Sequence, residues 1–154
     1  MAFHTITRRS LLVLGIFASA AIAAPAQASE RSAACVTGVP ASTSPYDIDY
    51  AAVEGPTSSS SYDIAASFES AHTIGTAMNL YISPDSDMND YASFKCQYAC
   101  NGTPGCVSFF GRFVQVNSTT EHFECLSFGA LLDDSAFTST SKNVANGGFN
   151  KLCS

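Results

Sequence analysis

Tryptophan is absent from this chain, and basic residues are scarce: seven Lys and Arg stand against thirteen Asp and Glu. A surface so poor in positive charge cannot neutralise a phosphate backbone, which excludes a nucleic-acid groove and argues against attraction to anionic membranes. C-x-x-C is missing, and with it the usual signature of a dithiol redox centre. G-x-S-x-G is missing too, so no serine sits in the strained elbow from which many hydrolases present a nucleophile. Histidine occurs only at 4, 72 and 122. Beyond one apolar run near the start, no stretch approaches the roughly 20 apolar residues that a membrane-spanning helix requires.

That run belongs to an export signal. Arg8 and Arg9 precede an apolar segment from Leu11 to Ile22, and small residues then lead to Ala26-Gln27-Ala28. A positive start, a short apolar core and an A-x-A site form the pattern of a secretory signal peptide, with cleavage expected after Ala28 and, as second choice, after Ala23. Thr7-Arg8-Arg9-Ser10-Leu11-Leu12 also resembles a twin-arginine signal. An ordinary positive n-region accounts for it, because nothing downstream looks like a cofactor site, and no cofactor is expected. Residues 29–154 remain as a single domain, and with Arg8 and Arg9 removed five basic residues face thirteen acidic ones, about −8. The expectation is a secreted, extracellular protein with no membrane insertion and no nucleic-acid partner.

All six cysteines, at 35, 96, 100, 106, 125 and 153, survive that cleavage. An even count in a small exported domain reads as a disulfide framework. The region 40–71 carries Pro40, Pro45, Pro56 and the tract Ser58-Ser59-Ser60-Ser61, and reads as an insertion with a flexible, O-glycosylatable loop. Tyr46-Asp47-Ile48 recurs in it as Tyr62-Asp63-Ile64, an echo within chance.

From Thr73 onward the pattern sharpens. Thr73 to Ile82 reads as a strand ending at Ser83-Pro84. Asp85-Ser86-Asp87 offers cap residues and negative charge for a helix over about 86–100, with Met88, Tyr91, Ala92, Lys95, Cys96 and Ala99 at helical spacing. Asn101-Gly102 ends it. Strands follow over 106–115 and 123–128, and Asn146-Gly147-Gly148 makes a turn before a last strand over 149–153. One helix among antiparallel strands is an α+β fold.

Three cysteines fall close together in FKCQYACNGTPGCVSFF, residues 94–110. Cys96 and Cys100 share a helix face with Cβ atoms about 5–6 Å apart, too far for a mutual disulfide. Asn101, Gly102, Pro104 and Gly105 can turn the chain so that Cys106 reaches Cys100, while Cys96 needs a distant partner. A zinc site would want a second cysteine pair or histidines at matching spacing, so no metal is expected. A cysteine nucleophile would need a spare thiol beside a base.

The series Cys96-x3-Cys100-x5-Cys106-x2-Phe109, then Cys125-Leu126, then Phe149 before Cys153, resembles the Apple/PAN domain family. CQYACNGTPGCVSF looks like that family's helix, turn and strand, HFECLSF its next strand and GGFNKLCS its closing one. The resemblance covers residues 74–154, and before them only Cys35. It implies one helix packed across a curved antiparallel sheet and the pairs Cys35–Cys153, Cys96–Cys125 and Cys100–Cys106. It also implies a non-catalytic module that binds an extracellular protein or a glycan. The sixty residues between Cys35 and Cys96 exceed the family's usual spacing. The alternatives are a small secreted cysteine-rich hydrolase and a cell-wall structural protein.

Other residues are weighed against plainer roles. His72 and His122 read as exposed or packed histidines, with Glu121 and Glu124 as electrostatic neighbours of His122. Asp85, Asp87 and Asp90 cluster without the spacing of an EF-hand and fit helix capping, and Asp133-Asp134 forms a second acidic pair. Asn101-Gly102-Thr103 and Asn117-Ser118-Thr119 are N-glycosylation acceptors in predicted turns. Phe109 and Phe113 share a strand face directed to the core, and Phe110 takes the other. Exposure of Phe110, Tyr98 or Tyr91 would supply a platform for stacking sugars.

Overall fold

Strands β6 (Ser108–Val114) and β7 (His122–Phe128) are apolar on both faces, which a strand tolerates only when both faces are covered. Here they are the middle of a five-stranded antiparallel sheet in a computed structural model that describes residues 34–56, 60–84, 88–116 and 118–154. The signal segment 1–28, Ser58 and Ser59, Asp85 and Asp87, and Asn117 lie outside those residues.

In chain order the elements are β1 (Ala41–Thr43), β2 (Tyr46–Ile48), β3 (Tyr50–Val53), β4 (Tyr62–Ile64), helix α1 (Ala66–His72), β5 (Met78–Leu80), helix α2 (Asn89–Gly102), β6, β7, a 3-10 turn (Asp134–Ala136), β8 (Phe137–Ser139) and β9 (Val144–Lys151). The central sheet runs β3-β9-β6-β7-β5, while β1-β2 and β4-β8 form two separate two-stranded ribbons. Among the described residues the class is α+β with two α-helices on antiparallel sheets, where the sequence predicted one. Helix α1 is short and has no buried residue, so it carries no apolar stripe to betray it.

Each face of the sheet has its own core. On one face Ile48 of the β1-β2 ribbon and Ala92, Cys96 and Cys100 of α2 pack against Tyr50, Phe109, Phe113, Phe123 and Phe149 of the sheet. On the other face Tyr62, Ile64, Leu132, Ala136 and Phe137 cover Phe110, Leu126, Phe128 and Ala145. Phe110 is therefore fully buried, which removes it from any sugar platform. The twin Tyr-Asp-Ile tripeptides become β2 and β4, one helping to close each face. The region 40–71, expected to be a loop insertion, thus supplies core residues to both sides of the sheet. Its strands are only three or four residues long, too short to show period-two alternation in the sequence.

Three disulfides join Cys35 to Cys153, Cys96 to Cys125 and Cys100 to Cys106. The first ties the two ends of the described chain, where Val36 bridges Leu152. The second bolts α2 to β7, and the third folds the helix end back onto the start of β6.

Several boundaries differ from the sequence reading. The strand expected over 73–82 shrinks to Met78–Leu80 with an isolated bridge at Thr73, because Gly75 takes φ +69 and breaks the extended run. Helix α2 begins at Asn89, its N-cap is Met88 without a side-chain cap bond, and it runs through Asn101 and Gly102. Asn146-Gly147-Gly148 lies inside β9. The register steps from Gly111↔Gly147 to Arg112↔Ala145, so Asn146 is the extra residue of a bulge, and Gly147 at φ +135 makes that bulge feasible. No helix among the described residues is long and apolar enough to cross a membrane.

Candidate functional site

Helix α2 turns Ala92, Ser93, Cys96, Gln97 and Cys100 to the sheet. Tyr91, Phe94 and Tyr98 follow i, i+3, i+7 spacing, so they form a second stripe along the outer flank of the same helix. The β1-β2 ribbon adds a fourth ring. Ile48 is fully buried against α2, and Tyr46, two residues earlier on the same strand face, is carried to the helix flank. Thr43 Oγ1 donates to the Tyr46 carbonyl at 2.9 Å and holds the tip of the ribbon.

The four rings form a continuous series. Tyr91 and Tyr46 have centroids 5.7 Å apart, Tyr46 and Phe94 stack at 5.2 Å with planes 27° apart, and Phe94 meets Tyr98 edge-on at 5.0 Å. Tyr98 is 57% exposed, and Tyr46, Tyr91 and Phe94 are half-buried. The Lys95 ammonium lies 5.8 Å from the centre of the Tyr91 ring, and the exposed Asp47 and half-buried Asp90 flank the series in sequence. Apolar faces with hydroxyls and charges at their margins suit a ligand that is itself apolar on one side and polar around its rim, as a pyranose ring is. The sequence marks Tyr91 by helical spacing and names Tyr91 and Tyr98 as platform residues if exposed. Phe94 carries the same spacing unremarked, and Tyr46 joins only through the tertiary packing of the ribbon. Tyr81, 89% exposed, stands apart near the His122 ring at 6.2 Å.

Comparison with protein-family models, with curated proteins and with solved structures found no match.

Carboxylates gather elsewhere, on the opposite face of the sheet. Arg112 lies directly across from Glu124 in the β6-β7 ladder. Its guanidinium donates to Glu124 Oε2 from Nε at 2.7 Å, to Asp63 Oδ1 from Nη1 at 2.7 Å, and to the Glu69 carboxylate from Nη1 and Nη2 at 3.3 Å. Side-chain exposures are 12% for Arg112, 10% for Asp63, 18% for Glu124 and 34% for Glu69. Burial alone would disfavour the charged guanidinium. The hydrogen bond and charge of Asp63, and those of Glu124, outweigh it and raise the Arg112 pKa above its ordinary value. Asp63 also accepts from the Ile64 amide at 2.7 Å and from Asn143 Nδ2. The network ties β4 and α1 to the sheet and occupies each of these carboxylates with a cation.

The remaining sequence candidates resolve into structural roles. Glu124 pairs with Arg112 and not with His122, whose Nδ1 donates to the Thr120 carbonyl at 2.8 Å. His72 is exposed and packs on Phe68 with centroids 4.6 Å apart. Asp133 caps the 3-10 turn, accepting from the Ser135 hydroxyl at 2.6 Å and its amide at 2.9 Å, and these bonds lower its pKa. Among the described residues no group of three or more His, Cys, Asp or Glu is placed to hold a metal ion. Asn101 is exposed and sits in the last turn of α2, a helical position where the sequence predicted a turn.

Proposed function

We propose that the chain is a secreted, non-catalytic binding module of the Apple/PAN kind, and that its ligand is a glycan held on the stripe of Tyr46, Tyr91, Phe94 and Tyr98. The stripe carries the reading: four touching rings lie along one helix flank, and the outermost, Tyr98, is 57% exposed. Two further features support it. A helix lies across an antiparallel sheet, and the three disulfides are the pairs that the family resemblance implies. Three disulfides also fit an oxidising, extracellular compartment. A glycosidase would work with two carboxylates facing each other about 5–10 Å apart across a cleft. Asp63, Glu69 and Glu124, the carboxylates that the fold gathers, all bond Arg112 instead.

A glycan array probed with the disulfide-intact chain 29–154 tests the reading. Binding to a defined class of neutral sugars, lost in Tyr91→Ala and Tyr46→Ala variants that keep the wild-type unfolding midpoint, is expected. An array without signal would sink the glycan reading and leave a protein partner as the ligand.

A further inference from the structure

We propose that Asn101 carries an N-linked glycan and that the first sugar of that glycan packs on the exposed ring of Tyr98, so that the chain covers one end of its own aromatic stripe. The modification does not depend on the ligand proposed above, but it withdraws Tyr98 from that ligand and leaves the other three rings to hold it. Asn101-Gly102-Thr103 is an acceptor sequence, and Asn101 is exposed at the C-terminal end of α2. The side-chain amide is already oriented there. Its Oδ1 accepts from the Tyr50 hydroxyl at 2.8 Å, a hydroxyl held in turn against Cys100 Sγ at 3.4 Å. Its Nδ2, the atom that would be glycosylated, makes no hydrogen bond to any described residue, so attachment breaks nothing in the fold.

Direction follows from helix geometry. Cα–Cβ bonds tilt toward the helix N-terminus, so a group on Asn101 leans over the preceding turn. That turn presents residues 97 and 98: Gln97 is buried at 4% exposure, and Tyr98 stands out at 57%. Tyr98 is three residues from Asn101, hence its neighbour on the helix surface. An N-acetylglucosamine there sets its apolar C–H face on the ring and keeps its hydroxyls in water. The transfer joins Asn101 Nδ2 to C1 of the sugar. The donor is a lipid-diphosphate-linked oligosaccharide, whose C1–O bond breaks as the lipid diphosphate leaves with the electron pair and the amide gives up one proton. With Tyr98 covered, the open part of the stripe is Tyr46, Tyr91 and Phe94.

The test uses the full chain with Asn117→Gln, which leaves Asn101 as the remaining acceptor, made in secreting eukaryotic cells and in cell-free translation with microsomes. Intact mass should show one glycan, mapped to Asn101 and absent in both Asn101→Gln and Thr103→Ala. The microsomal reaction reads this whether or not a variant is secreted, and an unmodified Asn101 there would overturn the site. Packing is read separately. Trimming with an endoglycosidase that leaves the first sugar should keep oxidative labelling of Tyr98 severalfold slower than full removal by an amidase, which leaves aspartate at 101. Tyr81 serves as the unchanged control. Equal labelling of Tyr98 in the two forms would refute the packing even with the glycan present.

Discussion

Replacing Arg112 by methionine keeps an apolar stem about as long as the arginine chain up to Nε and removes the cation shared by Asp63, Glu69 and Glu124. Its cost can be worked from the geometry. Breaking a buried ion pair by deleting one partner costs about 3–5 kcal/mol, because the other charge stays behind in a poor solvent. Two discounts apply here. Glu69 is 34% exposed and can turn to water, and Asp63 retains the Ile64 amide and Asn143 as donors. Glu124, opposite position 112 in the ladder and 18% exposed, has no such escape. Arg112→Met should therefore cost about 3 kcal/mol, the low end of that range. With a urea slope of about 1.5 kcal/mol/M, the unfolding midpoint falls by about 2 M.

The assay is urea unfolding followed by circular dichroism with the disulfides intact. Two controls separate charge from packing. Arg112→Lys keeps a cation without the planar fork that serves several carboxylates at once, and should recover only part of the loss. Arg112→Met combined with Asp63→Asn and Glu124→Gln removes the stranded charges and should be more stable than Arg112→Met alone. A loss below about 1 kcal/mol for Arg112→Met, the range of exposed pairs, would refute the argument that this network fastens β4 and α1 to the sheet.

Three further outcomes follow from the same structure. Burial, reinforced by the charge of Asp49, raises the Tyr50 hydroxyl above 10.0, and burial alone does so for Tyr62. The fold thus favours the neutral phenols, and their contribution to stability is complete below pH ~10 and lost as pH rises through the raised values. Absorbance at 295 nm should show two late-titrating tyrosines, one missing in Tyr50→Phe and the other in Tyr62→Phe. Asp133 runs the opposite way: its depressed pKa gives stability present above the ordinary carboxylate range and lost as pH falls, a small effect at so exposed a site. Asp133→Asn should flatten the acid limb of a melting-temperature profile without moving the neutral plateau greatly. Removing Cys96 and Cys125 together, a bridge spanning 29 residues, should cost about 4 kcal/mol on the chain-entropy argument, read as a fall in the urea midpoint.

What could be read in the sequence followed from local signals. Helical spacing located α2, and short Phe-rich apolar runs located β6 and β7, since those patterns depend only on neighbours along the chain. Cysteine spacing excluded a bond between Cys96 and Cys100 for the same reason. The second layer was not legible. Tyr62 and Ile64 are core residues only because β4 pairs with β8, more than seventy residues later. Alternation correctly put Phe110 on the face opposite Phe109 and Phe113, but nothing local to it tells that residues 132–137 cover that face. Arg112 gave no signal as the centre of a network. Its partners at 63, 69 and 124 come together only through sheet register and the docking of α1. Tyr46 joined the aromatic stripe by the same kind of non-local contact.

The two faces of the sheet are fastened by different physics, and this bears on where a ligand would bind. The helix face is covalent: Cys96–Cys125 fixes the middle of α2 to β7, and Cys100–Cys106 fixes its end to β6. The opposite face carries no disulfide and depends on the apolar cluster around Phe137 and on Arg112. A binding surface loses affinity for every side chain and loop that must be ordered on association. The stripe of Tyr46, Tyr91, Phe94 and Tyr98 lies on the stapled face, along a helix that cannot shift without straining two bridges. Its rings have few torsions to freeze and stand already in contact. Rigid aromatic area is what compensates for the weak, water-competed hydrogen bonds that a sugar offers. The disulfides that build the fold are then also the devices that pre-organise the proposed site, without taking part in any chemistry there.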